Sequence, residues 1–439
     1  MNRRLMAAFG VAALLASTAA CGSGGGSGAK SGGPSSADPK AMTGSVTIWL
    51  MNEAQQNWPE LVQQVNDEFA AKYPKIDLKL SYQTWADKIT KLDAALAGQT
   101  EVPDVVELGN TETMKYILNN SLATVDKASY DNSDTWIKGL VKTCEYQDKL
   151  YCVPYYAGAR VGIYNTAAFQ EATGSADFPA TEDELRVALD KVAAKRKGDK
   201  TYSALYLPGP YWYAAMSYVE AYGGTIARFD STGKWHGSLH DAKSQQGVQH
   251  FVDLVKKYNN GDLTVNELNQ SGVLGKQKTA MLYGNGWEIG TATAPVGGNP
   301  ALKDVLKVVG MPGPNGKPLP SFIGGSDLAV TAKSPNQDAA KDWIRMFTSA
   351  KSQQVLVDKD TLPNNLTQLA PLKSKPATAA AANAVPNAWF TPLAPGWGAI
   401  EKQNVLVTML TDILKGGKSV DQATQEADAK IDQLINQPS

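Results

Sequence analysis

The sequence has little histidine, little cysteine and almost no net charge. Its 439 residues include three His and three Cys, and 42 Lys plus Arg are balanced by 43 Asp plus Glu, for a formal net charge of −1. A nucleic-acid surface needs clustered basic residues that release counterions from phosphates, so this balance argues against a nucleic-acid partner. Three His offer little for metal or general-base chemistry, and we expect no metal and no other cofactor.

The motifs of common enzyme classes are also missing. The chain contains no Gly-x-Ser-x-Gly elbow, no Walker A loop, no Gly-x-Gly-x-x-Gly dinucleotide loop and no His-Glu-x-x-His pair. The acidic residues are numerous enough that a pair of catalytic carboxylates, as in a glycoside hydrolase, stays open. Glu288 and Asp327 are the acids to inspect first for that role.

The apolar stretch near the amino terminus is too short to span a membrane, and the segment has the features of a secretory signal. Arg3 and Arg4 precede an uncharged apolar stretch at residues 5–20, whereas a membrane span needs about 20 apolar residues. The small residues before Cys21 resemble the lipobox of bacterial lipoproteins, in which the Cys thiol receives a diacylglycerol. We therefore predict a lipoprotein signal peptide at residues 1–20 and lipidation of Cys21, with an ordinary signal peptide as the alternative.

A stretch rich in Gly and Ser follows Cys21. Residues 22–36 are nearly all Gly and Ser, a composition that behaves as a flexible coil because it has no apolar surface to bury. We predict that residues 21–42 tether the folded body to the outer face of the cytoplasmic membrane of the exporting cell.

The two remaining cysteines are close together in the sequence. Cys144 and Cys152 flank a short segment in which Gln147 and Asp148 favour a turn. An exported protein meets an oxidising compartment, so we expect a hairpin closed by a disulfide. Two free buried thiols remain the alternative, because connectivity cannot be deduced from sequence.

The body alternates strand and helix patterns. Residues 45–51, 76–82 and 104–108 read as strands, and residues 59–73 and 89–98 have helical spacing between them, which predicts a mostly parallel sheet. Single cores stop growing near about 250 to 300 residues, so a body of this length predicts two α/β lobes. Later segments read as strands at 160–165 and 202–207 and as helices at 181–195, 248–255, 339–347, 399–414 and 420–435.

Many tryptophans lie in the loops that follow the predicted strands. Ligands of open α/β sheets bind beyond the carboxyl ends of strands, and these loops combine aromatic rings with amides or carboxylates, which suits a sugar. Trp49 and Trp343 lie in strand and helix patterns and are predicted to be core. Trp58, Trp85 and Trp136 border helices, where packing is the commoner role, whereas Trp212, Trp287, Trp389 and Trp397 lie among Gly and Pro and can line a cleft.

The order of several short segments resembles the extracellular solute-binding proteins of carbohydrate ABC transporters, the class that includes maltose-binding protein. The segments are residues 103–105, 147–154, 163–165, 280–281, 324–330 and 340–344. A narrower resemblance links residues 109–113, 206–213, 286–288 and 391–397 to actinobacterial oligosaccharide-binding lipoproteins of the diacetylchitobiose-binding type. The cysteine pair and residues 154–157 depart from that type, which leaves the particular sugar open.

The resemblance implies a periplasmic-binding-protein-like type II fold, in which two α/β lobes are joined by a hinge around a cleft. The crossovers between lobes are expected near Tyr155 and Gly324. The implied boundaries are residues 43–155 for lobe 1, 156–323 for lobe 2, 324–370 for the return to lobe 1 and 371–439 for C-terminal helices that span the lobes.

The function implied is a monomeric, lipid-anchored receptor, not an enzyme, that captures a di- or oligosaccharide and presents it to the permease of an ABC importer. Trp287 and Trp397 are expected to stack on sugar rings. The other predicted ligand contacts are Glu53, Trp85, Asn110, Tyr155, Arg160, Trp212, Glu288, Ser326 and Asp327. The rival hypotheses are a secreted glycoside hydrolase or other sugar-acting lipoprotein, and a receptor for a non-sugar solute such as a peptide, a phosphate ester or a metal.

Overall fold

The computed structural model describes residues 38–85, 87–98, 101–265 and 267–437. The predicted signal peptide, Cys21 and most of the predicted tether therefore lie outside the described residues. From Pro39 onward the chain forms one unit. Within the described residues no helix combines the length and the apolar character that crossing a membrane requires.

The strands of the described residues are short except for two. They are β1 (Gly44–Met51), β2 (Ile76–Gln83), β3 (Val105–Gly109), β4 (Glu145–Tyr146), β5 (Lys149–Leu150), β6 (Val153–Asn165), β7 (Ala227–Phe229), β8 (Trp235–Gly237), β9 (Met281–Asn285), β10 (Leu306–Val309), β11 (Ser321–Val330), β12 (Leu362–Pro363) and β13 (Ala388–Trp389).

The helices surround these strands along the whole body. They are α1 (Asn52–Asn57), α2 (Pro59–Lys72), α3 (Lys88–Gly98), α4 (Thr113–Leu118), α5 (Lys138–Cys144), α6 (Thr166–Thr173), α7 (Glu182–Lys195), α8 (Trp212–Ala221), α9 (Ala242–Tyr258), α10 (Gln270–Gly275), α11 (Glu288–Ala292), α12 (Gln337–Phe347), α13 (Ala350–Asp358), α14 (Leu366–Leu369), α15 (Ala379–Ala384), α16 (Trp397–Lys402), α17 (Val405–Leu414) and α18 (Val420–Leu434).

The first three strands form the parallel sheet that the sequence predicts. β1 pairs in parallel with β2 on one side and with β3 on the other, and α2 crosses between β1 and β2. Apolar residues of α2 such as Leu61, Val65 and Phe69 are fully buried, because they repeat at the spacing that places them on one helix face. The carboxyl ends of β1, β2 and β3 therefore meet at one edge of the sheet.

Two long antiparallel strands continue this sheet into the second half of the body. β11 pairs with β3 through Ser326–Val330 and with β6 through Ile323–Leu328, and β6 pairs further along with β9 and β10. Both predicted crossover positions, Tyr155 and Gly324, lie in these two strands. β6 begins at Val153, earlier than the strand predicted at 160–165, because its first residues pair with β11 rather than showing an alternating pattern of their own.

The hydrophobic core is divided between two halves of the body. The first half holds the sheet of β1, β2 and β3, and the second half holds β9, β10 and the late helices. One cluster gathers buried residues between Val46 and Tyr155 and between Leu328 and Leu356, and a second gathers residues from Tyr164 to Tyr283 together with the late helices. A third cluster beneath β6 includes Ile163 and Leu282. The core of the described residues thus falls into three clusters.

Two predicted elements are wrong in detail. Residues 202–207 form only isolated bridges, Ser203 with Thr279 and Tyr206 with Leu282, so they are not a strand. The helix predicted at 399–414 is two helices, α16 and α17, because Asn404 takes a left-handed conformation with φ of 53° between them. Trp343 is fully buried as predicted, whereas Trp49 is only partly buried on the outer face of β1.

The predicted hairpin disulfide is confirmed. Cys144 at the end of α5 is bonded to Cys152, and β4 and β5 form the hairpin between them. Gln147 and Asp148 both take positive φ, the conformation of a tight two-residue hairpin turn. The bond fixes the end of α5 to the start of β6, one of the two strands shared by both halves.

Replacing both Cys144 and Cys152 with Ala is expected to lower the free energy of unfolding by about 2 to 3 kcal/mol, because the disulfide restricts the unfolded chain. Urea denaturation of the variant and of the wild-type protein, with and without reductant, measures the difference. An unfolding midpoint that does not change in the wild-type protein after both thiols have been shown to be free would contradict this role.

Candidate functional site

A cavity of about 200 Å³ lies where loops of the two halves approach each other. It is lined from the first half by Thr111 and Glu112, which follow β3, and from the second half by residues of α8, α16 and α17. The lining residues of the second half are Trp212, Tyr213, Trp397, Ile400, Glu401, Asn404, Val405, Leu406 and Val407. The position beyond the carboxyl end of β3 is where open α/β sheets bind ligands.

The strand-end loops of the first half are tied together by side chains. The Trp85 indole N–H donates to Glu53 at 2.7 Å, and the Lys88 ammonium lies 4.4 Å from the centre of the Trp85 ring. Lys88 is fully buried and forms an ion pair with Glu112, whose Oε2 also accepts the Gly109 backbone N–H at 2.8 Å. This network brings together the loops that follow β1, β2 and β3, which the sequence predicted to converge. The Lys88 ammonium is the counterion of the Glu112 carboxylate.

Arg160 organises the opposite side. Its guanidinium donates to Tyr211 Oη at 3.0 Å, to Asn285 Oδ1 at 2.5 Å and to both carboxylate oxygens of Glu267 at 3.1 and 3.2 Å. Burial alone would lower the pKa of Arg160, but the electrostatic effects of Glu267, Tyr211, Tyr213 and Glu288 together outweigh burial and raise it. The guanidinium also lies 4.9 Å from the centre of the Tyr213 ring. These hydrogen bonds hold the Arg160 guanidinium among protein groups, and its role as a ligand contact stays a prediction.

Three aromatic side chains form the apolar wall of the cavity. Trp212 stacks on Tyr213 with ring centres 3.8 Å apart and meets Trp397 edge-on at 5.9 Å. Trp397 is only 1% exposed, and its indole N–H is buried without a hydrogen-bond partner. An unpaired buried donor is costly, so this N–H is available to an acceptor on a ligand.

Several carboxyl groups of the two halves have pKa values above their usual range. Burial raises the pKa of Glu107 and of Glu288 to about 7. Burial and the charge of Glu112 raise the pKa of Glu401 to about 8, although the nearby Trp397 indole and Thr111 hydroxyl act in the opposite direction. A carboxyl that is partly protonated near neutral pH can donate as well as accept hydrogen bonds, which suits hydroxyl groups.

Tyr156 and Tyr213 indicate that the cleft is deep. Each side chain keeps some solvent exposure, yet burial raises the pKa of each phenol well above its usual value, with Glu107 adding to the shift of Tyr156 and Glu401 to that of Tyr213. Partial exposure together with strong desolvation is what a narrow cleft produces.

Some predicted ligand contacts lie in the interior instead. Tyr155 has no exposed surface and its hydroxyl is hydrogen-bonded to the Trp58 indole. Asp327 is also fully buried; it accepts from Thr113 at 2.9 Å and Thr143 at 3.3 Å, and its carboxylate lies within 4.8 Å of the disulfide sulfurs. In this conformation neither side chain can contact a ligand, which corrects the expectation for these two residues.

Asn110, Ser326 and Glu288 are nearly buried as well. The Asn110 amide donates to the Ile323 carbonyl at 3.1 Å and so ties β3 to β11. Glu288 Oε1 accepts the Asn285 backbone N–H at 2.8 Å, whereas Glu288 Oε2 and the Ser326 hydroxyl are buried without hydrogen-bond partners. These two orphaned atoms are available to a ligand only if the surrounding loops move. The ligand roles of Asn110, Ser326 and Glu288 stay predictions.

The exposed predicted contacts are Trp85, Trp287, Glu53 and Trp212. Trp287 is 66% exposed just after β9 and Trp85 is 40% exposed just after β2, so both rings present free faces. Glu53 and Trp212 are partly exposed at the cleft. Of the predicted set, only Trp212 and Trp397 line the cavity itself.

Other residues of the site were missed by sequence reasoning. Lys88, Glu107, Glu267 and Glu401 lie in helices, in a strand interior or in a short turn, and none stands beside a Gly or Pro that would mark a loop. The only available signal was charge in an otherwise apolar segment, as for Glu107 within β3.

A larger open cavity of about 750 Å³ lies elsewhere, against the β4–β5 hairpin. Residues 124–127 and 145–150 line it, and it contains none of the strand-end loops that close on the smaller cavity. The cysteine pair and Asp327 are the one group of potential metal ligands that the described residues bring together, and its sulfurs are bonded to each other. The smaller cavity is therefore the candidate site.

Comparison with known proteins gives a consistent result. A family model described as bacterial extracellular solute-binding protein matches residues 64–387. The diacetylchitobiose binding protein DasA of Streptomyces coelicolor is 32% identical over 438 residues, which cover 97% of this chain and 97% of that protein.

Solved structures share the fold. The GacH receptor of Streptomyces glaucescens, solved unliganded and in complex with acarbose, matches with a TM-score of 0.73 at 24% identity over 91% of this chain and 100% of its own. The sugar-binding protein MalE of Xanthomonas citri matches with a TM-score of 0.71 at 22% identity over 89% of this chain and 97% of its own. These matches confirm the predicted α/β fold class.

Proposed function

The chain belongs to the family of bacterial extracellular solute-binding proteins, and from this premise we propose that it is the sugar receptor of an ABC importer. The ligand is a di- or oligosaccharide, held between the two halves of the body and released to membrane permease subunits. The observation that carries the proposal is the cavity between Thr111 and Glu112 on one side and Trp212 and Trp397 on the other. The likeness to DasA supports the same class of ligand.

Binding would work by closing the cleft. β6 and β11 are the strands shared by both halves, so a change in their twist moves one half relative to the other. A sugar that contacts Glu112 and Trp397 at once is bound better when the halves are close, and only that difference in affinity shifts the population toward the closed state. The lobe boundaries near 155 and 324, which the resemblance implies, stay predictions.

The finer points of the proposal rest on the sequence. A signal peptide at residues 1–20 and lipidation of Cys21 would hold the receptor at the outer face of the membrane, with residues 21–42 as its tether. We propose that it acts as a monomer, with one sugar site in each chain.

A screen by thermal unfolding against chito-, xylo-, cello- and malto-oligosaccharides tests the proposal. A ligand present at a hundred times its Kd stabilises the folded state by about 2.7 kcal/mol, so one series should raise the unfolding temperature, and above the Kd the rise should follow the logarithm of the sugar concentration. If no series changes it, and a peptide or phosphate ester does, the sugar assignment is wrong.

The rival glycoside hydrolase has one observation in its favour, because Glu112 and Glu401 line the same cavity. Glycoside hydrolysis needs one carboxylic acid with a raised pKa and one free carboxylate, and Glu401 has the raised pKa. Against the second role, Glu112 Oε2 is already held by the Lys88 ammonium and by the Gly109 backbone N–H. Chromatography of the sugars after incubation with the protein separates the two functions, since a receptor returns them unshortened.

A further inference from the structure

The charges around the cavity are not balanced. Lys88 is paired with Glu112, and Arg160 is paired with Glu267. Glu401, by contrast, forms no ion pair with any described residue, although it lines the cavity beside Glu112. Glu401 is therefore a carboxyl group of the cavity lining that no cation of the described residues pairs.

The aromatic wall adds a second attraction for positive charge. Trp212, Tyr213 and Trp397 line the same cavity as Glu401, and the faces of such rings attract ammonium groups. The Trp397 indole N–H lies close enough to Glu401 to lower the pKa of that carboxyl, but it is buried without completing a hydrogen bond and can still donate to a ligand. A suitable ligand thus carries a cationic donor for Glu401 and an oxygen acceptor for Trp397.

We propose that this cavity binds the protonated amine of an amino sugar, with Glu401 as the counter-carboxylate and the Trp397 indole N–H donating to an oxygen of the same sugar ring. The inference rests on the proposed function and narrows its ligand class. Amine and hydroxyl groups on neighbouring carbons of one ring supply both partners in one rigid unit. A cation placed beside Glu401 also removes its repulsion with Glu112.

The size of the cavity limits what it holds. Its volume of about 200 Å³ is below the range of about 300 to 1,000 Å³ that accommodates a drug-sized ligand, so it fits one ring of a longer chain. Acetylation of the amine adds volume and removes the charge, so the cavity is expected to prefer the free amine.

The test compares two disaccharides by calorimetry at pH 7 and low salt. One is the β-1,4-linked disaccharide of glucosamine, and the other is the same disaccharide with both amines acetylated. The wild-type protein is expected to bind the free amine about tenfold more tightly than the acetylated sugar or better, and in Glu401→Gln the ratio of the two affinities is expected to fall to about one. Added salt should weaken binding of the amine alone.

A matched control is Glu171→Gln. Glu171 lies on α6 and forms an exposed ion pair with Arg196, so this variant also removes one carboxylate. It should leave the preference unchanged. Thermal unfolding of Glu401→Gln should show a midpoint no lower than that of the wild-type protein, because a buried carboxyl without a cation is replaced by a neutral amide.

Equal affinities for the two disaccharides, or a preference that survives in Glu401→Gln, would overturn the amine site while leaving the sugar receptor intact. Failure of these sugars together with every neutral series would overturn the proposed function, and the amine site with it. The two failures are thus distinguishable.

Discussion

Replacing Gly325 with Ala is expected to lower the free energy of unfolding by about 2 to 4 kcal/mol, because a methyl group has no room there. A Cβ at Gly325 would lie 2.2 Å from the Tyr156 carbonyl oxygen, and the φ of 148° at Gly325 is one that other residues rarely adopt. β11 and β6 are paired on both sides of this contact, so the clash can be relieved only by moving the two shared strands apart.

The same change should weaken sugar binding, since it alters the strands about which the cleft closes. Urea denaturation gives the stability difference, and calorimetry on the fraction that folds gives the affinity. Gly158→Ala is the matched control: Gly158 lies in β6 opposite Gly324, and a Cβ there meets nothing within 4 Å. A Gly325→Ala variant as stable as Gly158→Ala would show that the close approach of the strands is not a constraint.

Replacing Trp397 with Ala is expected to cost about 3 to 5 kcal/mol of stability and to lower sugar affinity by about thirtyfold or more. Trp397 is 1% exposed and packs against Trp212, so its loss leaves a void in the wall of the cavity. Because this variant can fail to fold, Trp397→Phe keeps part of the packing while removing the indole N–H, and it should lose affinity with a smaller loss of stability.

Trp287 is the comparison that separates packing from binding. Its side chain is 66% exposed, so Trp287→Ala should change the free energy of unfolding by less than about 0.5 kcal/mol. A loss of affinity in this variant would then reflect a direct contact with the sugar. If Trp287→Ala and Trp397→Phe both leave affinity unchanged in calorimetry, the site assignment is wrong.

The fold could be predicted from the sequence where local pattern and tertiary structure agree. β1 to β3 and the helices between them follow their apolar spacing, and the helix predicted at 181–195 is α7, which opens with a capping box of Thr181 and Glu184. The break at Asn404 was missed, although the polar residues 401–404 interrupt the apolar spacing and Asn tolerates the left-handed conformation that separates α16 from α17.

The site was harder to predict than the fold, and Asp327 shows why. The register of β11 against β6 shifts between Ser326 and Asp327, where the partner changes from Tyr156 to Pro154. A shift of this kind decides which face of the sheet a side chain joins, and here it turns Asp327 toward Thr113 and Thr143. Sequence shows the loop that follows a strand but not such a shift.

Glu401 was missed, whereas Asp327 was predicted and proved to be buried. Glu401 lies at the end of a short helix, at the start of the polar residues 401–404, and only the approach of α16 to the loop after β3 places it beside Thr111 and Glu112. No pattern in the sequence links residues so far apart in the chain.

The central claim is that one sugar binds between the two halves and leaves unchanged. The direct measurement is a calorimetric titration of the wild-type protein with the oligosaccharide that most raises its unfolding temperature, followed by chromatography of the recovered sugar. We expect one site per chain and a sugar of unaltered length. Shortened sugar, or no heat of binding with any oligosaccharide series, would contradict it.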